Sequence, residues 1–164
     1  MDIKVLEVQR STSTAHRLSH YDGVCGNIHG HNMVWDLEVE VRMSESGDDN
    51  MPLDLKEVAD FVDDVDHAIV LNRNDELLKT VLGSSYDDHI LAYKDPGHNG
   101  YIGEYDIEAL GAVHVFDSDP TCEILSQWMA DRIRSLEPVE KVSCRVNETD
   151  KYGITATSAP KLMD

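Results

Sequence analysis

Alternating apolar and polar residues predict the strands of this chain. The clearest alternation covers residues 33–43, where every second residue is apolar and most residues between them are charged. Because side chains of a strand point alternately to its two faces, this segment predicts a strand with one face on a core and one in water. Residues 142–146 alternate likewise, and residues 154–157 follow a turn signal. Residues 3–14 are rich in β-branched types, but their apolar positions switch from odd to even numbers, which predicts a bulged strand.

Two stretches have apolar residues at helical spacing. The first begins at Pro52 and is predicted to end near His67 or, at the latest, by Asn72. The second is predicted to begin at Asp119, a favoured N-cap residue that is followed by proline, and to end before residue 137. Together with the strands, these helices indicate an α+β fold.

An insertion at about residues 73–117 separates the two helices. It is too long to be a bare loop in a compact domain, so it should contain secondary structure. Residues 90–93 and 111–116 are predicted to be short strands, and the rest carries no clear pattern. With 164 residues, the chain (1–164) is expected to form a single domain that includes this insertion.

Composition restricts the partners. The chain has 14 Lys and Arg against 32 Asp and Glu, a formal net charge of −18, spread along the sequence as in halophilic proteins. Such a surface repels nucleic acids and anionic membranes, so neither is an expected partner. The three cysteines form no CxxC pair, and no apolar signal segment opens the chain. We therefore expect free thiols in a soluble cytoplasmic protein, with Cys122 and Cys144 packed in the core.

The candidate chemistry is concentrated in Cys25-Gly26-Asn27-Ile28-His29-Gly30-His31, with His16 upstream. In an extended segment, His29 and His31 point to the same face and can bind one ion together. A third histidine from an adjacent strand would give three protein ligands and an open fourth position, as in catalytic zinc sites. Histidines near a turn are also often ordinary surface residues, so the HxH pair alone does not establish a metal site.

Five short motifs, taken in order, carry a family resemblance. They are Thr14-Ala15-His16-Arg17-Leu18, Cys25-x3-His29-Gly30-His31, Asp66-His67-x3-Leu71-Asn72, Pro120-Thr121-Cys122-Glu123 and Glu148-Thr149. Each motif is weak alone, but the ordered set resembles the 6-pyruvoyl-tetrahydropterin synthase and 6-carboxy-tetrahydropterin synthase family. The insertion departs from the family pattern, so the resemblance implies nothing about its role.

The resemblance implies a fold and an assembly. The expected fold is the tunnelling fold, with a four-stranded antiparallel sheet and two helices on one face. By resemblance, subunits join edge to edge into an oligomeric barrel, commonly a hexamer, with active sites at subunit boundaries. Such an assembly would also cover exposed strand edges that otherwise promote aggregation.

The resemblance also implies a reaction, with Zn2+ as the cofactor and a pterin triphosphate as the substrate. The three residues between Cys25 and His29 are typical of the 6-carboxy branch, which converts 7,8-dihydroneopterin triphosphate to 6-carboxy-5,6,7,8-tetrahydropterin for queuosine-type tRNA bases. Two alternatives stay open at this point. One is the 6-pyruvoyl branch, in which the three-carbon side chain is retained; the other is a zinc-stabilised pterin-binding module without turnover.

The metal ligands implied by the resemblance are His16, His29 and His31. Cys25 is expected to be the general base, whose thiolate removes a proton from the substrate side chain. The rival interpretation makes Cys25 a fourth zinc ligand in a closed structural site. Asp66 and His67 are expected to relay the proton, although a histidine in the last turn of a helix can simply complement the helix dipole.

Glu148 is the expected pterin anchor, with a further part in the proton relay. Its carboxylate would accept hydrogen bonds from the pterin 2-amino and N3 groups. Thr149, Thr121 and Glu123 are expected to contribute to the pterin pocket. For Thr121 and Glu123, helix capping and dipole complementation are equally good explanations.

Overall fold

A computed structural model describes residues 2–44, 49–82, 94–108 and 110–160. The elements, in chain order, are β1 (Ile3–His16), β2 (His29–Arg42), α1 (Leu55–Asp63), β3 (Ala68–Asn72), α2 (Glu76–Leu82), β4 (Tyr101–Ile107), β5 (Gly111–Phe116), α3 (Cys122–Arg134), β6 (Val139–Asn147) and β7 (Gly153–Ser158). Short 3-10 turns cover Val24–Gly26 and His98–Gly100. No helix in these described ranges is long and apolar enough to cross a membrane.

The sheet has seven strands in the order β4-β5-β3-β1-β2-β6-β7, so the expected four-stranded antiparallel sheet is wrong. The four predicted strands are present as the antiparallel set β1-β2-β6-β7. β3 pairs with β1 in parallel, and β5 pairs with β3, also in parallel. β4 pairs with β5 as an antiparallel hairpin. The sheet is therefore widened beyond β1 by β3, which precedes the insertion, and by the hairpin of β4 and β5 within the insertion.

The first strand is regular where a bulge was expected. Its pairing with β2 runs without a shift from Ile3 opposite Arg42 to His16 opposite His29. Even-numbered residues of β1 face the core, whereas the apolar side chains of Ile3 and Val5 face away and are 41% and 55% exposed. The switch of apolar residues from odd to even positions therefore reflects apolar side chains on both faces of one regular strand.

The first helix ends earlier than its apolar spacing predicted. It stops at Asp63, and His67 adopts a left-handed backbone conformation with φ of 56°. This residue turns the chain into β3, where β-branched Ile69 and Val70 suit an extended strand. The extension of the helix to Asn72 was therefore wrong, because pairing with β1 overrides the local helical spacing.

The second helix begins two residues later than expected. Thr121 is its N-cap, with the hydroxyl accepting from the Ile124 N–H, so capping by Asp119 was wrong. The Asp119 carboxylate instead accepts from the Ser19 hydroxyl and the Asn72 amide. It ties the segment after β1 to the end of β3, close to the site described below.

Two apolar clusters lie on opposite faces of the sheet. The larger packs α1 and α3 against β2 and β6, around buried residues that include Trp35, Leu37 and Trp128. The two expected helices therefore cover one face. The smaller cluster joins Leu78 of α2 to Leu71 and the hairpin strands. The expected strand at 111–116 is confirmed by β5, and the one at 90–93 lies outside the described residues.

The smaller cluster gives a stability prediction. Leu71 is fully buried, so Leu71→Ala should lower the free energy of unfolding by about 2–5 kcal/mol, as core leucine truncations do. Leu55→Ala is a matched control, because Leu55 is 41% exposed and a surface change costs about 0.5 kcal/mol or less. Urea unfolding of both variants measures the difference. Equal midpoints would mean that the inserted elements do not fold cooperatively with the rest of the domain.

Candidate metal centre and active site

Strand register brings the three predicted histidines together. His16 lies opposite His29 across the β1-β2 pair, and Thr14 lies opposite His31. Residues opposite each other point to the same face of a sheet, and Thr14 and His16 are both buried on the face that the helices cover. The three ring centroids lie 4.6, 4.8 and 5.2 Å apart. The end of the sheet therefore presents three imidazoles to one point.

The hydrogen bonds of two rings fix which nitrogen is free. His16 Nδ1 lies 3.0 Å from the Pro120 carbonyl oxygen, and His29 Nδ1 lies 2.7 Å from the Asn27 carbonyl oxygen. A carbonyl only accepts, so both Nδ1 atoms donate, and in the neutral rings each Nε2 carries a lone pair. The Nε2 atoms of all three histidines are buried without a hydrogen-bond partner. This is the arrangement that a metal-binding histidine requires, with its second nitrogen held by a backbone acceptor.

Burial keeps His16 in the form that binds metal. Its side chain is 1% exposed, and loss of solvation lowers the pKa of the ring from its usual value, against the effect of the Pro120 carbonyl. A lowered pKa means that His16 remains neutral to a lower pH than a solvated histidine does. The ring is therefore available as a ligand at neutral pH.

Glu148 completes a group of four candidate donors. It follows β6, and its backbone N–H donates to the Tyr152 carbonyl in the turn before β7. Glu148 Oε1 lies 2.9 Å from His31 Nε2 and 3.3 Å from His16 Nε2. One donor atom from each of His16, His29, His31 and Glu148 lies within 4.8 Å of the others, and the four form a candidate metal site.

A cavity of about 490 Å³ opens beside this group. His16 and Glu148 form one part of its wall, and the start of α3 forms another through Thr121, Cys122 and Glu123. Three of the four predicted substrate-binding residues therefore meet at one cavity. The fourth, Thr149, is not among its lining residues. Its hydroxyl accepts from the backbone N–H groups of Lys151 and Tyr152 and stabilises the turn.

Cys25 lies in the 3-10 turn between β1 and β2 and is half-buried. Its carbonyl accepts from the Leu18 N–H, which closes the loop that leads back to His29. A Cβ at the neighbouring Gly26 would lie 2.7 Å from the Tyr21 carbonyl oxygen, so the turn requires glycine there. In the described part of the chain, Cys25 is not one of the clustered metal donors. Glu148 stands in the place that the rival interpretation gave to Cys25.

The structure places Asp66 and His67 apart from Cys25. Asp66 Oδ1 accepts from the Ser13 N–H at 2.8 Å, and the His67 N–H donates to the Ser13 carbonyl, so both residues clamp the backbone of β1. The His67 ring is 82% exposed, and its Nε2 lies 3.8 Å from Asp66 Oδ2, too far for a hydrogen bond. His67 lines a shallow depression with His31 and Gly30. No hydrogen bond connects it to Cys25 within the described ranges.

Sequence analysis missed the proximity of Cys122 to Glu148. Both cysteines expected in the core are buried, but Cys122 also lines the cavity to which Glu148 contributes. Burial, assisted by the negative charges of Glu148 and Glu123, raises the pKa of this thiol to about 12. The Pro-Thr-Cys-Glu motif indicated that Cys122 lies at the start of a helix. That the end of β6, which precedes Glu148, lies beside this helix could not be inferred from the local sequence pattern.

The thiol environments predict selective alkylation. Burial raises the pKa of Cys144, as of Cys122, to about 12, so both thiols stay protonated and unreactive at pH 8. Iodoacetamide at pH 8 should therefore modify the native protein at Cys25 alone. Peptide mapping by mass spectrometry measures this, with denatured protein as the control modified at all three sites. Rapid native modification of Cys122 would contradict the buried placement.

The chain matches a known protein family over most of its length. The family model for 6-pyruvoyl tetrahydropterin synthase matches residues 5–159. The chain belongs to this family. A probable 6-carboxy-5,6,7,8-tetrahydropterin synthase of Halobacterium salinarum is 28% identical over 139 residues, which cover 84% of this chain and 75% of the relative. The family match and this relative together support the assignment of the chain as a tetrahydropterin synthase.

Several solved structures share the fold of this chain. An uncharacterized protein of Wolinella succinogenes has a TM-score of 0.65 at 20% identity and covers 95% of this chain and 98% of its own. The 6-pyruvoyl tetrahydropterin synthase of Plasmodium vivax has a TM-score of 0.57 at 15% identity, with coverage of 98% and 100%. The 6-pyruvoyl tetrahydropterin synthase of Caenorhabditis elegans has a TM-score of 0.53 at 22% identity, and the match covers 97% of this chain and 98% of that protein. These likenesses support the tunnelling fold.

Proposed function

We propose that this chain is a zinc-dependent 6-carboxy-tetrahydropterin synthase that acts on 7,8-dihydroneopterin triphosphate. The observation that carries the proposal is the set of three buried, unpaired Nε2 atoms beside a cavity whose wall contains Glu148, Thr121 and Glu123. Three neutral imidazoles with oriented second nitrogens suit zinc. When bound, zinc would polarise the side-chain oxygens of the substrate.

The residues of the chain have separate tasks in this proposal. Glu148 accepts hydrogen bonds from the 2-amino and N3 groups of the pterin, and Thr121 and Glu123 shape the wall against which the ring lies. Thr149 acts indirectly, because it holds the turn that carries Glu148. Cys25, as thiolate, removes a proton from the substrate side chain, which allows triphosphate to leave. One water molecule is then consumed as the carbon-carbon bond of the side chain breaks, so that the carboxylate stays on the pterin and the two-carbon fragment leaves as acetaldehyde.

Asp66 and His67 are proposed to act across a subunit boundary. The exposed His67 ring forms no hydrogen bond to Cys25 of its own chain in the described residues, so a relay needs a neighbouring copy. Within the described residues, the single chain also leaves β4 and β7 as sheet edges, and β1 pairs with β3 only over Thr14–His16. Open edges favour association, and a hexamer of two stacked trimers is the proposed assembly.

The three-residue gap between Cys25 and His29 and the halobacterial relative favour the 6-carboxy product. The expected result of incubating the zinc-loaded protein with 7,8-dihydroneopterin triphosphate is release of acetaldehyde together with 6-carboxy-5,6,7,8-tetrahydropterin, measured by mass spectrometry. Retention of the three-carbon side chain would assign the 6-pyruvoyl reaction instead. Metal and pterin binding without any turnover would identify a binding module.

A further inference from the structure

The Glu148 carboxylate lies beside the Nε2 atoms of His16 and His31 without accepting a hydrogen bond from either. His16 donates from Nδ1 to Pro120, so its neutral ring presents Nε2 as an acceptor, and Glu148 Oε1 lies 3.3 Å from that atom. The same oxygen lies 2.9 Å from His31 Nε2, yet neither contact has hydrogen-bond geometry. Acceptors that converge without hydrogens between them repel each other unless a cation lies among them.

The two distances from Glu148 Oε1 are close to those between neighbouring ligands of one ion. Zinc bonds to imidazole nitrogen and carboxylate oxygen are about 2.0–2.2 Å long, so neighbouring ligands of a tetrahedral zinc lie about 3.3 Å apart. The distance from Glu148 Oε1 to His16 Nε2, 3.3 Å, equals that value, and the distance to His31 Nε2, 2.9 Å, is somewhat shorter. All four donor atoms lie within 4.8 Å of one another. The carboxylate therefore occupies the position that would otherwise be open.

We propose that Glu148 is the fourth ligand of the metal in the substrate-free protein, and that it leaves the metal when its carboxylate binds the pterin ring. This inference rests on the proposed zinc site and assigns the residue two alternating partners. The closed, four-ligand state that the rival interpretation assigned to Cys25 would thus be a resting state formed by Glu148. Arrival of substrate opens the metal.

The position of Glu148 allows such an exchange. Its side chain is 31% exposed and lines the cavity, whereas His16 beside it is 1% exposed. The residue lies just beyond the last residue of β6, in the turn before β7, and not within the paired strand. On the side of α3, Cys122 and Glu123 line the same cavity. Rotation of one side chain can therefore move the carboxylate from the metal to the cavity.

Metal affinity tests the first half of this proposal. Competition of the full chain with a chromophoric chelator should show that Glu148→Gln binds Zn2+ about 10- to 100-fold more weakly than the unmodified protein, since loss even of an outer-shell partner has this effect. Glu123→Gln is the matched control, because it removes the same charge from the wall of the same cavity, and its affinity should change less than about twofold. Equal affinity of Glu148→Gln and the unmodified protein would overturn the assignment.

Cobalt spectroscopy of the unmodified protein tests the second half without any variant. Co2+ reports its coordination geometry by visible absorption, and the free protein should show the intense bands of a four-coordinate site. Pterin itself, which has no side chain, should change these bands if it draws Glu148 away from the metal, and the change should be absent in Glu148→Gln. An unchanged spectrum at saturating pterin would overturn the exchange. Failure of the unmodified protein to bind metal at all would instead refute the proposed function.

Discussion

Replacing Cys25 by alanine is expected to leave zinc bound and to slow turnover by about two to four orders of magnitude, the contribution of a general base. The half-buried thiol lies in a turn between two strands and is not one of the clustered metal donors in the described residues. Its removal should therefore affect proton transfer and leave the metal site intact. Metal content by mass spectrometry and kcat with 7,8-dihydroneopterin triphosphate measure the two effects separately.

Cys25→Ser provides the control for this experiment. It preserves the size of the side chain and replaces a thiol by a hydroxyl that ionises far less readily, so activity should stay low while the turn remains packed. The pH profile of kcat should lose its thiol-dependent rise in both variants. Loss of zinc from Cys25→Ala, with retention of the fold, would make Cys25 a metal ligand and contradict the general-base role.

The histidine cluster was predictable because two short-range rules suffice to form it. Alternation along β2 places His29 and His31 on one face, and an antiparallel neighbour brings His16 opposite His29. Both rules act over a few residues or across one tight pair. The strand alternation at residues 33–43 is likewise visible without any tertiary information, because charged residues fill the solvent face.

The wider sheet was not predictable from the same patterns. Apolar residues continue at helical spacing beyond Asp63, and only pairing with β1 makes Ala68–Asn72 a strand. That pairing is parallel, and a parallel neighbour is joined through a crossover, with no short turn to announce it in the sequence. β3 then recruits the hairpin of β4 and β5, so one unrecognised strand explains why three were missing from the expected sheet.

Glu148 shows the same limit at the level of the site. Its approach to His31 depends on the register of β6 against β2, in which Val34 lies opposite Asn147. The motif identified the residue, but only this long-range register reveals that its carboxylate lies on the metal side of the cavity. Likewise, the Pro120 carbonyl that orients His16 comes from a loop about a hundred residues away.

Replacing His29 by alanine is expected to abolish zinc binding and turnover together. His29 Nε2 is one of three buried ring nitrogens without a hydrogen-bond partner at the proposed metal site, and its ring is held by the Asn27 carbonyl. Loss of this ligand should weaken zinc binding by more than about 100-fold, above the effect of losing an outer-shell partner. At zinc concentrations 100 times the dissociation constant of the unmodified protein, that protein should gain about 2.7 kcal/mol of stability, and the variant should gain at most about 0.4 kcal/mol.

Thermal unfolding with and without zinc measures this difference directly. His98→Ala is the matched control, because His98 is 83% exposed, contacts Asp131 and lies outside the metal cluster. It should retain the full stabilisation by zinc and the full activity. If His29→Ala and the unmodified protein are stabilised equally by zinc, the ion binds elsewhere on this acidic chain, and the histidine cluster is not the metal centre.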